Sequence, residues 1–281
     1  MISILSEVVE FRNGESGQHV LHIGTLTQRL LERLTQKTDK YDLPPETQEL
    51  IVMASALHDI GKVAIDDKIL NKPGRLTPEE FDLMKTHTVV GANMLDHLGR
   101  YKNEALVKTA HDICRWHHER WDGRGYPDGL AGDDIPISAQ IVSMADVYDA
   151  LVSKRVYKAA YSPDTAVQMI LHGDCGQFNP LLLECLVEIQ DVLKAEIVGR
   201  ENESELAAAE TSAEGSRPSL RCHDNERFVG SGLDRSEPVR GGGNLPGRMK
   251  PFPYRATINC VIVMILRILL KISSVYGKIR R

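Results

Sequence analysis

Cysteine is scarce. The 281 residues hold five, at positions 114, 175, 185, 222 and 260, and no two of them form a CxxC pair. That argues against a thiolate zinc site and against a disulfide framework, and suits a reducing compartment. Charge of one sign is also lacking. The net charge is −5, which gives no reason to expect a nucleic-acid polymer as partner. The opening MISILSEVVEFRNGE has no basic start followed by a long apolar stretch, so no signal peptide is read there and the cytoplasm is the expected location. Strand-like alternation is rare. The most apolar run, TINCVIVMILRILLKISSVYGKIRR, is interrupted by Arg267 and Lys271 and is too short and too charged for a membrane span.

What remains is helical periodicity. Residues 18–36 place Val20, Ile23, Leu30, Leu31 and Leu34 near a 3.6-residue period, and residues 45–60 do the same after Pro45. Thr77-Pro78-Glu79-Glu80 reads as a helix start, with a Thr cap, Pro at the first position and Glu at the third. The helix it opens carries Phe81, Met84 and His87. Further helices are expected at 104–118, 138–152, 163–172 and 180–194, with loops at 66–76 and 120–136. Residues 1–195 are therefore expected to form one all-α domain.

The character changes near residue 195. Residues 1–195 hold 20 Lys+Arg and 29 Asp+Glu, whereas residues 196–281 hold 14 and 10. Residues 196–254, rich in Gly, Ser, Glu, Arg and Pro, are expected to be a disordered linker. Residues 255–281 form an apolar, basic segment, read either as a tail without a role or as an interfacial helix touching a membrane.

Candidate ligands are spread along the first domain. Glu15 and His19 stand at i and i+4, on one face of any helix that contains both. His58 and Asp59 are adjacent at the end of an apolar helix. His87, then His117 and His118, then Asp146 follow, each beside apolar helical positions. A lone His on such a helix is more often an ordinary polar residue. Five imidazoles and three carboxylates on separate helical segments are another matter, because ionised carboxylates on buried faces need a partner. Mixed imidazole and carboxylate without thiolate suits Fe, Mn, Co or Ni, with Zn also possible. Eight donors suit two or three ions with a carboxylate such as Asp59 bridging, and paired metals are a standard device for attacking phosphate esters. His22, His97, His111 and His172 are read as surface or core-edge residues. Cys114 and Cys185 are read as packing residues, and Met53, Met84 and Met94 as core.

The segments HDIGK at 58–62, KTHTVVGANML at 85–95, HHERWDGRGYP at 117–127 and ADVYDAL at 145–151 together resemble the HD-GYP family, a branch of the HD phosphohydrolase superfamily. The likeness is collinear from about residue 10 to 190 and includes KPGRLTPEEF and GQFNP. It implies an HD-type helical bundle around a bi- or trinuclear metal centre, commonly of iron or manganese. It implies a phosphodiesterase that converts cyclic-di-GMP to pGpG, which members often carry on to GMP. The metal ligands it implies are Glu15, His19, His58, Asp59, His87, His117, His118 and Asp146, the set already singled out, with Asp59 and Lys62 as the catalytic pair. Lys62 would contact the scissile phosphate or protonate the leaving oxygen. Arg155 and Lys158 match positions that hold the dinucleotide's phosphate and guanine. The loop with Gly125, Tyr126 and Pro127 would lie beside the substrate and is implicated in contacts with GGDEF-type cyclase domains. Gly123 and Gly125 are expected to take backbone angles that other residues avoid, with Pro127 fixing the exit.

The chain departs from the family pattern at His22, where Arg is usual, at Thr88, where Pro often follows the third histidine, and at Asn179, where Asp is frequent. Many members carry a receiver or sensor domain upstream, and this chain begins almost at the domain itself. The competing reading is a catalytically silent cyclic-dinucleotide sensor or a module that docks GGDEF proteins.

Overall fold

Residues 6, 7, 9, 11, 12, 18–153 and 160–196 are described by the computed structural model of the chain. Glu15, Arg155, Lys158 and all of 197–281, and with them the expected linker and the apolar basic segment, lie outside the described residues. The described residues are helical, with no strand among them, as the periodicity predicts.

Helix α1 spans Gln18–Lys37 and buries Val20, Ile23, Leu26, Leu30, Leu31 and Leu34, with His19 and His22 on the same face near its start. Helix α2, Pro45–Ser55, has Pro at its first position and packs on α1. It is shorter than its apolar pattern. After Ser55 the chain tightens into successive three-residue turns, with Leu57, Ile60 and Lys62 each donating to the carbonyl three residues back. These lead into a 3-10 helix over Ile60–Ala64. The reason lies in Gly61. A Cβ on it would sit 1.9 Å from the His87 carbonyl oxygen and 2.6 Å from the Gly91 nitrogen, so the turn lies against the next long helix more closely than any side chain would allow.

The expected 66–76 loop contains a short helix, α3, at Asp67–Leu70. Helix α4, Pro78–Asp96, starts as its sequence dictates. The Thr77 hydroxyl accepts from the Glu80 amide at 3.3 Å, and the Glu80 carboxylate accepts from the Thr77 amide at 2.8 Å, satisfying two of the donors a helix start leaves open. Helix α5 spans Ala105–Trp116 and packs on α4 and α2. Helix α6, Ile137–Val152, is buried nearly all round, from Ser138 to Val152. A helix with that pattern belongs at the centre of a bundle, and α1, α5 and α7 pack around it. Helix α7, Pro163–His172, is capped by Ser162 and closed by Gly173 at φ +79°. Residues 180–196 form α8.

The core runs through these helices as one cluster, including Ile23, Leu30, Leu95, Ile113, Ile141, Met144 and Leu186. Cys114 and Cys185 are wholly buried within it, as expected. Of the three methionines expected in the core, Met94 is buried, Met53 packs against the edge and Met84 is only half-buried.

Asn179 has its own explanation. Its amide donates to the Tyr41 hydroxyl and to Gln140 Oε1, both at 2.9 Å, while its oxygen accepts from the Leu181 amide at 3.0 Å. A carboxylate could not donate to Gln140 Oε1, so that bond needs the amide.

Candidate metal centre

Two groups of donors meet where α1, the turn after α2, α4, α5 and α6 converge. One holds Asp59, His87, His117 and His118, the other His19, His58 and Asp146, and in each group the donor atoms lie within 4.8 Å of one another. These are the seven described members of the eight-residue set expected from the sequence.

The backbone aims three of the imidazoles by fixing one nitrogen of each ring. His87 Nδ1 bonds to the Met84 carbonyl at 2.7 Å, His117 Nδ1 to the Ile113 carbonyl at 2.9 Å, and His58 Nδ1 to the Ser55 carbonyl at 2.9 Å. A carbonyl only accepts, so Nδ1 carries the proton and Nε2 is left with its lone pair facing the cluster. His19 is held differently, with Nδ1 2.7 Å from Asp149 Oδ2.

Asp59 stands between the groups. Its Oδ1 lies 3.2 Å from His87 Nε2 and 3.8 Å from His117 Nε2. Its Oδ2 lies 3.2 Å from His58 Nε2 and 2.6 Å from Lys62 Nζ. On the other side, His19 Nε2 lies 4.0 Å from Asp146 Oδ1. Each Asp59 oxygen thus faces a different group.

The electrostatics favour lone pairs over protons. Burial, reinforced by His58, pushes His117 down to about 3. Burial also lowers His87 and takes His118 well below the usual histidine range. Burial works to raise Asp59, but Lys62, His58 and His87 outweigh it and hold its carboxyl well below the usual range. His87, His117 and His118 are thus neutral beside an ionised carboxylate, the state in which these groups ligate cations, whereas the bond to Asp149 raises His19 against its burial. Asp59 Oδ1, His87 Nε2 and His117 Nε2 are buried without a hydrogen bond. Buried polar atoms without partners are costly, and their convergence fits a divalent cation, which accepts several lone pairs at once.

Four supporting residues escaped the sequence reading. Asp149, in the same ADVYDAL segment as Asp146, is 1% exposed and takes His19 on one oxygen and His22 Nδ1 on the other at 2.8 Å. His22 is therefore a buried, bonded residue at 6% exposure, not a surface one. His97 and His172 are exposed and His111 is half-buried, as expected. Arg12 reaches the turn below the site, donating to the carbonyls of Lys62, Val63 and Ile65 at 3.1, 2.8 and 2.6 Å. Glu119, 3% exposed, accepts the amides of Asp128 and Gly129 at 2.7 and 3.0 Å.

Glu119 and its neighbours make the 120–131 loop rigid. Arg115 grips Asp128 with two bonds, at 2.7 and 2.9 Å, and Trp116 Nε1 adds a third at 2.8 Å. Gly123 takes φ +76°, as expected. Gly125 is required for a different reason from the one expected. Its φ is not positive, and a Cβ there would lie 2.3 Å from the Glu119 Cα and 2.4 Å from the Arg120 nitrogen. This close approach brings Tyr126 face to face with His118, ring centres 4.8 Å apart. Pro127 follows through a cis peptide bond.

A relative named probable cyclic di-GMP phosphodiesterase, from Vibrio cholerae serotype O1, is 42% identical over 198 residues, covering 69% of this chain and 45% of that protein. A cyclic di-GMP phosphodiesterase of Thermotoga maritima is 38% identical over 200 residues, covering 70% and 51%. A 3'3'-cGAMP-specific phosphodiesterase of V. cholerae is 40% identical over 187 residues, covering 66% and 34%. The chain spans about half or less of the length of these relatives. The solved structure of a cyclic GMP-AMP specific phosphodiesterase of V. cholerae shares the fold, with a TM-score of 0.50 at 16% identity over 71% of this chain and 51% of that one. The family model for the HD domain matches residues 17–178, the span that supplies every described donor. With more than half its length matched by that model, the chain belongs to the HD domain family.

Proposed function

We propose that the chain is a metal-dependent phosphodiesterase that hydrolyses cyclic-di-GMP. The observation that carries this reading is the position of Asp59, with one oxygen facing each of two imidazole-rich groups. The names of the relatives supply the substrate class. His87, His117 and His118 would hold one divalent ion, His19, His58 and Asp146 a second, and Asp59 both. Glu15 belongs to the proposed set from its spacing to His19. Iron or manganese suits the mixed imidazole and carboxylate donors. When bound, such ions supply Lewis-acid charge compensation and lower the pKa of water.

The chain's own groups supply the rest. Lys62 Nζ, 2.6 Å from Asp59 Oδ2, brings a positive charge to the edge of the donor cluster. There it offsets charge on the phosphoryl oxygens and gives a proton to the leaving 3′ oxygen. The P–O3′ bond breaks as the P–O bond to water forms, and water's proton restores the lysine. Arg155 and Lys158 would hold the remaining phosphate and base. Gly125, Tyr126 and Pro127 form the wall beside His118. A silent sensor would need no such gathering of lone pairs, so hydrolysis is favoured. Docking of a GGDEF protein to the 120–131 loop is compatible with turnover.

The test uses the full chain purified without air. Bound metal is measured by elemental analysis, and cyclic-di-GMP and 3'3'-cGAMP compete on the same sample. Two metals per chain with preferred cleavage of cyclic-di-GMP is the expected result. Preferred cleavage of 3'3'-cGAMP would reassign the substrate, and metal without cleavage of either would end the phosphodiesterase reading.

Asp149 provides a second expectation. Asp149→Ala releases the ring of His19, and loss of such an outer partner costs about 10–100-fold in metal affinity. A metal titration should show this loss at one site and not at both. Unchanged affinity at both sites would remove Asp149 from this role.

A further inference from the structure

We propose that Phe81 and Lys85, with Tyr126, form a purine-base subsite at the rim of the candidate metal centre. This rests on the phosphodiesterase reading and adds to it the residues that take up one base. Phe81 and Lys85 stand at i and i+4 on α4, one face of the helix that also carries His87. Three rings lead outward from the donor cluster. His118 stacks on Tyr126, and the Tyr126 and Phe81 rings meet edge to face with centres 6.3 Å apart. The outermost ring is an apolar side chain that is 47% exposed, although α4 has a core-facing side to place it on. Lys85 Nζ lies 5.3 Å from the Phe81 ring centre and 5.9 Å from that of Tyr126. Asp82 pairs with Lys85 at 2.6 Å and is itself 70% exposed, so a base edge competes for the ammonium only with a solvated carboxylate.

This combination suits a nucleobase. An exposed aromatic ring stacks on the flat face of any base. A lysine beside it favours a purine edge that offers two acceptors, as guanine does with O6 and N7. The arrangement therefore accepts purines generally and prefers guanine. The competing role is mechanical, with Phe81 merely propping Tyr126 and the loop.

The experiment compares the full wild-type chain with Phe81→Ala, Phe81→Trp and Lys85→Met. The probes are GMP, AMP and ribose 5-phosphate, none of which is a phosphodiester, so binding is read without turnover. Phe81→Ala should weaken GMP binding about tenfold and leave ribose 5-phosphate binding and metal content as they were. Phe81→Trp should restore GMP binding, and Lys85→Met should narrow the gap between GMP and AMP. With cyclic-di-GMP, the Phe81→Ala effect should fall on KM and not on kcat. The proposal is overturned if wild type binds GMP no better than ribose 5-phosphate. Loss of metal and kcat in Phe81→Ala without a change in GMP affinity would also overturn it, and would assign the propping role. If wild type cleaves no cyclic dinucleotide yet GMP binding depends on Phe81, the subsite stands and the phosphodiesterase reading fails.

Discussion

Asp59→Asn should reduce cyclic-di-GMP turnover to below about one thousandth, the scale on which one transition-state charge stabiliser acts, and should strip metal from the purified chain. The substitution keeps the side chain's shape and removes what the site needs. An amide has one oxygen, so it cannot face both donor groups as acceptor. Its NH2 would point at an imidazole Nε2 whose lone pair should face a cation. The charge that balances Lys62, 2.6 Å away, is lost as well, and breaking a buried pair costs on the order of 3 kcal/mol. Elemental analysis and steady-state kinetics on one preparation read both effects, and thermal unfolding shows whether the fold survives. Full turnover with a full complement of metal would falsify the bridging role.

The second large effect comes from a residue with no side chain. Gly61→Ala places a methyl 1.9 Å from the His87 carbonyl oxygen and 2.6 Å from the Gly91 nitrogen. Both are backbone atoms of α4 and cannot rotate aside. The turn must lift away and carry Asp59 and Lys62 from His87. A cost of about 3 kcal/mol is expected, at the upper end for overpacking. At this domain size that lowers Tm by about 6–12 °C. Gly24→Ala is the control. Gly24 lies inside α1 and a Cβ there meets nothing within 4 Å, so the change should gain about 1 kcal/mol of helix propensity. Opposite shifts in Tm are the expected result. Equal shifts would mean that the turn and α4 do not meet as closely as described.

These two positions show what the sequence could and could not reveal. Asp59 was legible because its chemistry is local: an acid beside a histidine after an apolar helix, with lone-pair donors recurring downstream. The described ligand candidates were legible for the same reason. Helices were legible from periodicity, and α4 and α7 from their caps. The end of α2 was not. Its apolar pattern runs on to Ile60, but contact with α4 tightens the chain after Ser55 into narrower turns, and periodicity carries no trace of a contact with a later helix. Asp149 and His22 were missed because 127 residues separate them, and an isolated His on an amphipathic helix gives no sign of a distant carboxylate. Arg12 acts on backbone carbonyls 50 to 53 residues away, which leave no mark in the sequence. Gly125 was legible as a glycine, but its reason was misread, since a composition of turn residues does not distinguish a left-handed angle from a close approach to Glu119.

The ring anchors differ in kind, and this bears on how the site tolerates change over evolutionary time. His58, His87 and His117 are oriented by main-chain carbonyls. No point substitution deletes a carbonyl, so as long as the helices persist these three rings inherit their aim. His19 alone among them depends on a side chain, that of Asp149, which a single codon change can remove. His87 and His117, in the group of Asp59, are thus buffered against drift, whereas the group of His19, His58 and Asp146 can be loosened in one step without touching a donor. A lineage that reduced its metal complement would be expected to do so from the α1 side, with the other half of the site left whole.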